Sequence, residues 1–272
     1  MIAWPWARQA LLTLTVSLFA LGAYAQAPAQ QEFTPSVGQP GKDVVWVPSP
    51  QALVDKMLDM AKVTPNDYVM DLGSGDGRTV ITAAKRGARA LGIEYNPDMV
   101  ALSRRNAAAA GVADKARFVQ ADIFKSDLSQ ATVITLFLLS DLNVKLRPTL
   151  LSLKPGTRIV SNTFKMGEWE PDETFALGCD TYCTAYFWIV PAKVEGKWKL
   201  AQGELTLKQE FQMVTGTLKN GNNTQPISGG RLRGDEIRFT AGGAEYRGRV
   251  LGKAIEGTVK TSAGAAAWSA RR

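Results

Sequence analysis

The chain has 272 residues, 45% of them hydrophobic, enough for a sizeable core in an ordinary protein of one or two domains. Its net charge of +7 admits acidic partners, but the basic residues are scattered without an aromatic-interleaved binding motif, so nucleic acid is not an expected partner. With no histidine and only two cysteines, the composition excludes an imidazole base and argues against a zinc site.

Arg8, the apolar run from Ala10 to Ala20 and the small-x-small stretch Ala23-Tyr24-Ala25 have the layout of a secretory signal peptide over residues 1–25. Cleavage after Ala25 predicts an exported, periplasmic or secreted protein without a stable membrane span, because the apolar core is too short to cross comfortably. An uncleaved membrane anchor is the alternative. Residues 26–43, rich in Gln, Pro and Gly, read as a flexible leader. Export would place the protein where the cofactor inferred below is not made.

The stretch Val69-Met-Asp-Leu-Gly-Ser-Gly-Asp-Gly-Arg78 carries the most chemistry. It reads as a buried strand ending near Asp71, a glycine turn, and an alanine-rich helix. Glycines let the backbone approach a ligand at the strand's carboxyl end, beside a helix N-terminus. The spacing G-x-G-x-G differs from the dinucleotide fingerprint G-x-G-x-x-G. Asp71 and Asp76 bracket the turn, and two carboxylates would repel a pyrophosphate yet suit an amino or sulfonium group. That favours S-adenosylmethionine. A second apolar strand, Ala90–Glu94, ends in an acid about 20 residues beyond the turn, where it can take both ribose hydroxyls. A third, Ala116–Asp122, offers Asp122 to an adenine amino group, with Ile123 and Phe124 against the ring.

Further along come Ala131–Leu139 as a fourth strand, Ser140–Asn143 opening a loop, and Lys154–Val160 leading into a fifth strand, with Phe164 and Trp169 behind it. Upstream lie Val45-Trp-Val-Pro-Ser-Pro50 and an amphipathic run from Leu53 to Ala61. These pieces, over about residues 44–190, resemble the seven-β-strand protein-lysine methyltransferases, especially the broad-specificity archaeal enzyme and the mitochondrial enzymes acting on the ADP/ATP carrier and the ATP synthase c-subunit. The resemblance implies a class I, Rossmann-like α/β fold, and S-adenosyl-L-methionine held by Asp71, Gly73, Ser74, Gly75, Asp76, Gly77, Glu94, Asn96, Asp122 and Ile123. It also implies that the Trp46–Pro48 segment and the Ser140–Asn143 loop close over donor and incoming lysine, with Ser140, Asp141 and Asn143 as the catalytic candidates. Trp169 is either a wall of the lysine channel or a rim or core residue. Asp141 is one option for taking the lysine proton; water or a backbone carbonyl would also serve. The expected partner is a protein lysine. The competing reading is an exported binding module that keeps the fold without turnover.

Cys179 and Cys183 are too widely spaced for a Cys-x-x-Cys motif, and a bond between them requires a turn at Asp180–Tyr182. Beyond Pro191 helical periodicity gives way to seven short alternating stretches between Glu204 and Ala270, separated by Gly and Asn. This predicts a small all-β barrel or meander over 192–272, following a methyltransferase domain over 44–191. Closure into a barrel hides strand edges; an open meander would need the methyltransferase surface as its second layer.

Overall fold

The computed structural model describes residues 33–272; the expected signal peptide, 1–25, and the first part of the leader lie outside the described residues. Helix α1, Gln51–Met60, begins directly after Pro50 and buries Leu53, Val54, Met57 and Leu58 on one face. Strand β1, Tyr68–Leu72, is followed by helix α2, Arg78–Lys85, and strand β2, Arg89–Glu94. Helix α3, Pro97–Ala109, starts at Asn96, whose side chain accepts from the backbone N–H groups of Asp98 and Met99, with proline at the first helical position. Strands β3, Ala116–Gln120, and β4, Val133–Leu136, precede helix α4, Ser140–Leu151, and strand β5, Arg158–Asn162. The hairpin of β6, Glu173–Ala176, and β7, Thr184–Ile189, completes the sheet.

The seven strands run in the order β3-β2-β1-β4-β5-β7-β6. The first five are parallel and β7 is antiparallel to both its neighbours. Because side chains alternate along a strand, the sheet feeds two cores. Val69, Ala90, Phe118, Val133 and Val160 face α1, α2 and α3. Met70, Ile93, Ile134, Ile159 and Trp188 face the α4 side. The strand order reverses between β1 and β4, and the crevice beyond the carboxyl ends there is where such sheets take ligands.

Two expectations change at the strand ends. Asp122 does not close a strand: β3 stops at Gln120, and Asp122 lies in the following turn, where its carboxylate accepts from Phe124 N–H at 2.9 Å. The fourth strand ends at Leu136, and Ser140–Asn143 is the first turn of α4, not a loop. Leu146 and Leu150, four apart and buried, give that segment its helical face, and Asp141 suits a helix N-terminus.

The Cys179–Cys183 disulfide closes the β6–β7 connection across a Cα–Cα distance of 5.8 Å. The turn it needs is present, with Tyr182 in the left-handed region at φ 55°.

The rest of the described chain is a closed barrel of β8 (Gly196–Leu200), β9 (Gly203–Glu210), β10 (Met213–Asn220), β11 (Asn223–Arg233), β12 (Glu236–Ala241), β13 (Ala244–Leu251), β14 (Ala254–Thr261) and β15 (Gly264–Arg271). Strand β8 is additional to the seven expected, and it closes the ring between β9 and β15. The open meander is therefore ruled out. Trp198, Leu205, Leu232, Phe239 and Ile255 build the barrel's own core. The barrel also touches the sheet domain: Phe211 stacks on Trp169 at 6.1 Å, Gln212 donates to the Glu170 carbonyl, and Arg231 pairs with Asp172 at 2.6 Å. Among the described residues no helix is long and apolar enough to cross a membrane.

Candidate active site

A pocket opens at the carboxyl ends of β1, β2 and β4, floored by the glycine turn and roofed by residues 39–48. Asp71, at the end of β1, is buried and accepts from Thr135 Oγ1 on β4 at 2.6 Å. Burial, then the nearby Glu94 and Asp76 charges, push its carboxyl up to about 7 against the pull of the Thr135 hydroxyl. Glu94 is held by three backbone donors: Gly75 at 3.0 Å on one oxygen, Tyr95 at 2.8 Å and Asn96 at 2.9 Å on the other. Its orientation is set before any ligand arrives.

Gly73, Ser74, Gly75 and Asp76 line the pocket with Asn96, Asp122 and Ile123. Gly75 has φ +53°, and a Cβ there would come within 2.7 Å of the Trp46 indole nitrogen. The turn thus stays bare under an aromatic roof. The Ser74 hydroxyl is fully buried without a hydrogen-bond partner. Asp76 lines the pocket but also forks to Arg78, whose guanidinium in turn donates to the Ser49 carbonyl. Asn96 serves mainly as the cap of α3.

Gly77 is the exception among the expected cofactor residues. It does not line the pocket; Phe118 and Ser103 press against its Cα, so that a Cβ would meet Phe118 at 2.8 Å. Its bareness serves the packing of the α2 start against β3 and α3.

The expected catalytic trio is not assembled here. Ser140 and Asp141 are exposed on the first turn of α4 and line no part of the pocket. The helix phase instead turns Leu139 and Leu142 toward it. Asn143 is fully buried and its amide nitrogen reaches Ser161 Oγ at 3.3 Å and the Phe164 carbonyl at 3.1 Å. It anchors the segment after β5 and does not line the pocket, and its Oδ1 is buried without a hydrogen-bond partner. Trp169 is core and not a channel wall: it is fully buried beside Trp188 and Phe211.

The roof was expected in part: Trp46–Pro48 lines the pocket as the resemblance implied, whereas residues 39–45, placed mostly in a flexible leader, are a site element that sequence reasoning missed. Residues 38–46 fold back on themselves through the Pro40–Val45 bridge and a Gly38 N–H bond to the Trp46 carbonyl. Lys42 then reaches Asp122 at 2.9 Å and lies 4.8 Å over the Tyr95 ring. That bond holds the Asp122 carboxyl below the usual carboxylate range and the Lys42 ammonium above its own. The available signal was the pair Gly38 and Gly41 around Gln39-Pro40, turn chemistry within what composition alone marks as a linker.

Such a pocket fits S-adenosylmethionine. It offers carboxylates at the tips of adjacent strands for a cationic, hydroxyl-bearing ligand, a side-chain-free turn for close approach, and an unpartnered buried hydroxyl.

Comparison with known proteins agrees. Residues 71–173 match the ANTKMT methyltransferase domain. The chain is 44% identical over 133 residues to a protein-lysine N-methyltransferase of Saccharolobus islandicus, spanning 48% of this chain and 83% of that one. It is 32% identical over 170 residues to the lysine N-methyltransferase of the ATP synthase c-subunit from Xenopus laevis, spanning 62% of this chain and 71% of the relative. A solved structure from Salinibacter ruber, described as an RNA methyltransferase in complex with S-adenosyl-L-homocysteine, is 51% identical with a TM-score of 0.52, over 54% of this chain and 96% of that one. This chain belongs to the protein-lysine N-methyltransferase family of S-adenosylmethionine-dependent enzymes.

Proposed function

We propose that the chain transfers a methyl group from S-adenosylmethionine to lysine side chains of proteins. The observation that carries this is the pocket itself, with Asp71, Glu94 and Asp122 converging around a bare glycine turn and an apolar wall of Leu138, Leu139 and Leu142 on its other side. The kinship to lysine methyltransferases supports the choice of acceptor. Intact carboxylates around an open turn support cofactor binding, and the transfer assay below decides between turnover and a fold kept without it.

S-adenosylmethionine supplies a methyl already activated on a sulfonium carbon. The chain's residues have to bind, orient and exclude water. Glu94, pinned by three backbone donors, would present the free lone pair of its Oε2 to a ribose hydroxyl. Asp122 would accept from the adenine amino group, sharing its carboxylate with Lys42 or exchanging Lys42 for the ligand. Asp71 sits beneath the turn as the buried counter-charge. A lysine must lose its proton to attack, and its reference pKa of about 10.4 makes that the demanding step. The leucine wall desolvates the ammonium next to the sulfonium charge, which favours the neutral amine. The chain holds no imidazole to take the proton, and Asp141 does not line the pocket, which leaves water or a backbone carbonyl as the acceptor.

RNA is the second reading, because the Salinibacter ruber protein is described as an RNA methyltransferase. The two lysine methyltransferase relatives argue for an amine instead. Incubation of the full chain with labelled S-adenosylmethionine and either a lysine-rich protein or total RNA separates the two. Label in lysine is expected; label only in RNA would replace the proposal.

We also propose that the enzyme is exported. The support is the charged, apolar and small-residue order of the N-terminus and a disulfide suited to an oxidising compartment. Mass spectrometry is expected to find Gln26 as the mature N-terminus, and an intact Met1 would reject it.

A further inference from the structure

Three aromatic rings from three separate connections meet at the pocket on the acceptor side. Phe137 follows β4, Phe164 follows β5 and Tyr182 precedes β7, so all three come to the same edge of the sheet. Their centroids are 5.4 Å apart for Phe137–Tyr182, 6.2 Å for Phe137–Phe164 and 6.3 Å for Phe164–Tyr182. All three line the pocket, and none is fully buried; Tyr182 is 40% exposed. Rings spent on core packing would be covered. These stay partly exposed beside Leu138, Leu139 and Leu142, which line the same pocket. An apolar stem ending in a cation suits such a rim, because ring faces attract the charge while ring and leucine surface cover the methylenes.

Tyr182 is held there at a cost. Its φ of 55° is in the left-handed region, which a non-glycine residue enters only against steric strain. Residues persist in such conformations where the surroundings over-determine them, and ligand clamps are among the places they gather. Here the surroundings are the Cys179–Cys183 bond and the Leu177 N–H bond to the Cys183 carbonyl at 2.8 Å.

We propose that Phe137, Phe164 and Tyr182 form a cation-accepting rim for the incoming lysine ammonium, and that the Cys179–Cys183 disulfide fixes Tyr182 in it. This rests on the lysine reading above. The rim holds the side chain as a cation on arrival and again as its nitrogen regains positive charge during transfer, so its contribution to both states is alike and reads out in acceptor affinity. Removing it raises KM and leaves kcat and cofactor binding in place. Acceptor affinity thereby becomes sensitive to thiol reduction, which cofactor affinity is not.

The test uses the full chain, an oligolysine peptide as acceptor, and calorimetry for S-adenosylmethionine. Wild type methylates the peptide. Tyr182→Ala is expected to raise the peptide KM about five- to thirtyfold, the range for a partly desolvated cation–π contact, with cofactor Kd unchanged. Tyr182→Phe, which keeps the ring face, recovers most of that affinity. Phe137→Leu, which keeps apolar bulk without the ring, shifts KM the same way as Tyr182→Ala. Dithiothreitol raises KM in wild type and not further in Tyr182→Ala. An unchanged KM in Tyr182→Ala, or a Tyr182→Phe defect as large as that of alanine, overturns the rim. Equal dithiothreitol effects in wild type and Tyr182→Ala overturn the role of the disulfide. If wild type binds S-adenosylmethionine but methylates no lysine, the lysine reading fails and the rim with it, a result visible before any substitution is made.

Discussion

Glu94 is the residue whose removal separates cofactor binding from folding most cleanly. It is half-buried, its partners are backbone N–H groups at a turn, and it faces the ligand pocket. Glu94→Ala is expected to weaken S-adenosylmethionine binding by roughly 1–3 kcal/mol, the value of hydrogen bonds to a charged group. Unchanged affinity in calorimetry would remove Glu94 from the site. Asp71 behaves differently because it is fully buried. Its folded pKa, about 7, lies above its unfolded value, so the fold favours the protonated form. The corresponding stability is present below about pH 4 and is lost as pH rises through 7. Asp71→Asn keeps an acceptor for the Thr135 hydroxyl and removes the charge. It should melt at a higher temperature than wild type at pH 8, with the gap closing toward pH 5, while binding no cofactor. A gap independent of pH would contradict a buried titrating carboxyl. The place of both residues at the pocket was legible in the sequence, since each ends an apolar strand beside the glycine turn. The directions of Ser140, Asp141 and Asn143 were not, because they depend on the phase of a helix that begins at Ser140, and a polar four-residue segment reads equally as loop or first turn.

At the scale of elements, the roof over residues 39–48 controls access. Trp46 lies over Gly75, Lys42 ties the segment to Asp122, and Ser49 is tied to buried Asn162 at 2.9 Å. Trp46→Ala should speed cofactor dissociation in stopped-flow measurements several-fold more than it changes association, since the roof acts on a ligand already seated. Equal changes in both rates would mean that Trp46 does not cover the ligand. The resemblance already placed Trp46–Pro48 over the donor, but composition marked residues up to 43 as a leader, and only the tertiary contact of Lys42 with Asp122 reveals that part as pocket. Strand β8 was overlooked for a similar reason. Gly196-Lys-Trp-Lys-Leu200 alternates, but over only five residues with one fully buried side chain, Trp198, too short a run to stand out until β9 and β15 flank it.

For the molecule as a whole, the barrel and the sheet domain divide labour. No residue of the barrel lines the pocket, yet Phe211, Gln212 and Arg231 cover Trp169, Glu170 and Asp172. A chain ending at Pro191 should keep nearly full cofactor affinity and lose stability by several kcal/mol, because Asp172 would lose its ion partner and Trp169 its stacking partner. A large loss of affinity with the fold preserved would show that the barrel helps to shape the site. Residues 192–272 alone should melt cooperatively, having their own buried core and no free sheet edge. An unfolded fragment would mean that the two parts share one core.

The buried Asp71 also makes the protein a proton source. No histidine is present to exchange protons near neutrality, so this carboxyl dominates the exchange that ligand binding can drive there. A cationic ligand entering beside it favours the carboxylate, and below pH 7 the proton has to leave for the buffer. The apparent binding enthalpy should therefore vary with the ionisation heat of the buffer, corresponding to release of up to one proton at pH 6 and almost none at pH 8.5. The same variation should vanish in Glu94→Ala only to the extent that binding itself does. Affinity should climb with pH and level off just above neutrality, so a binding assay run in mildly acidic buffer would under-report the strength of the complex.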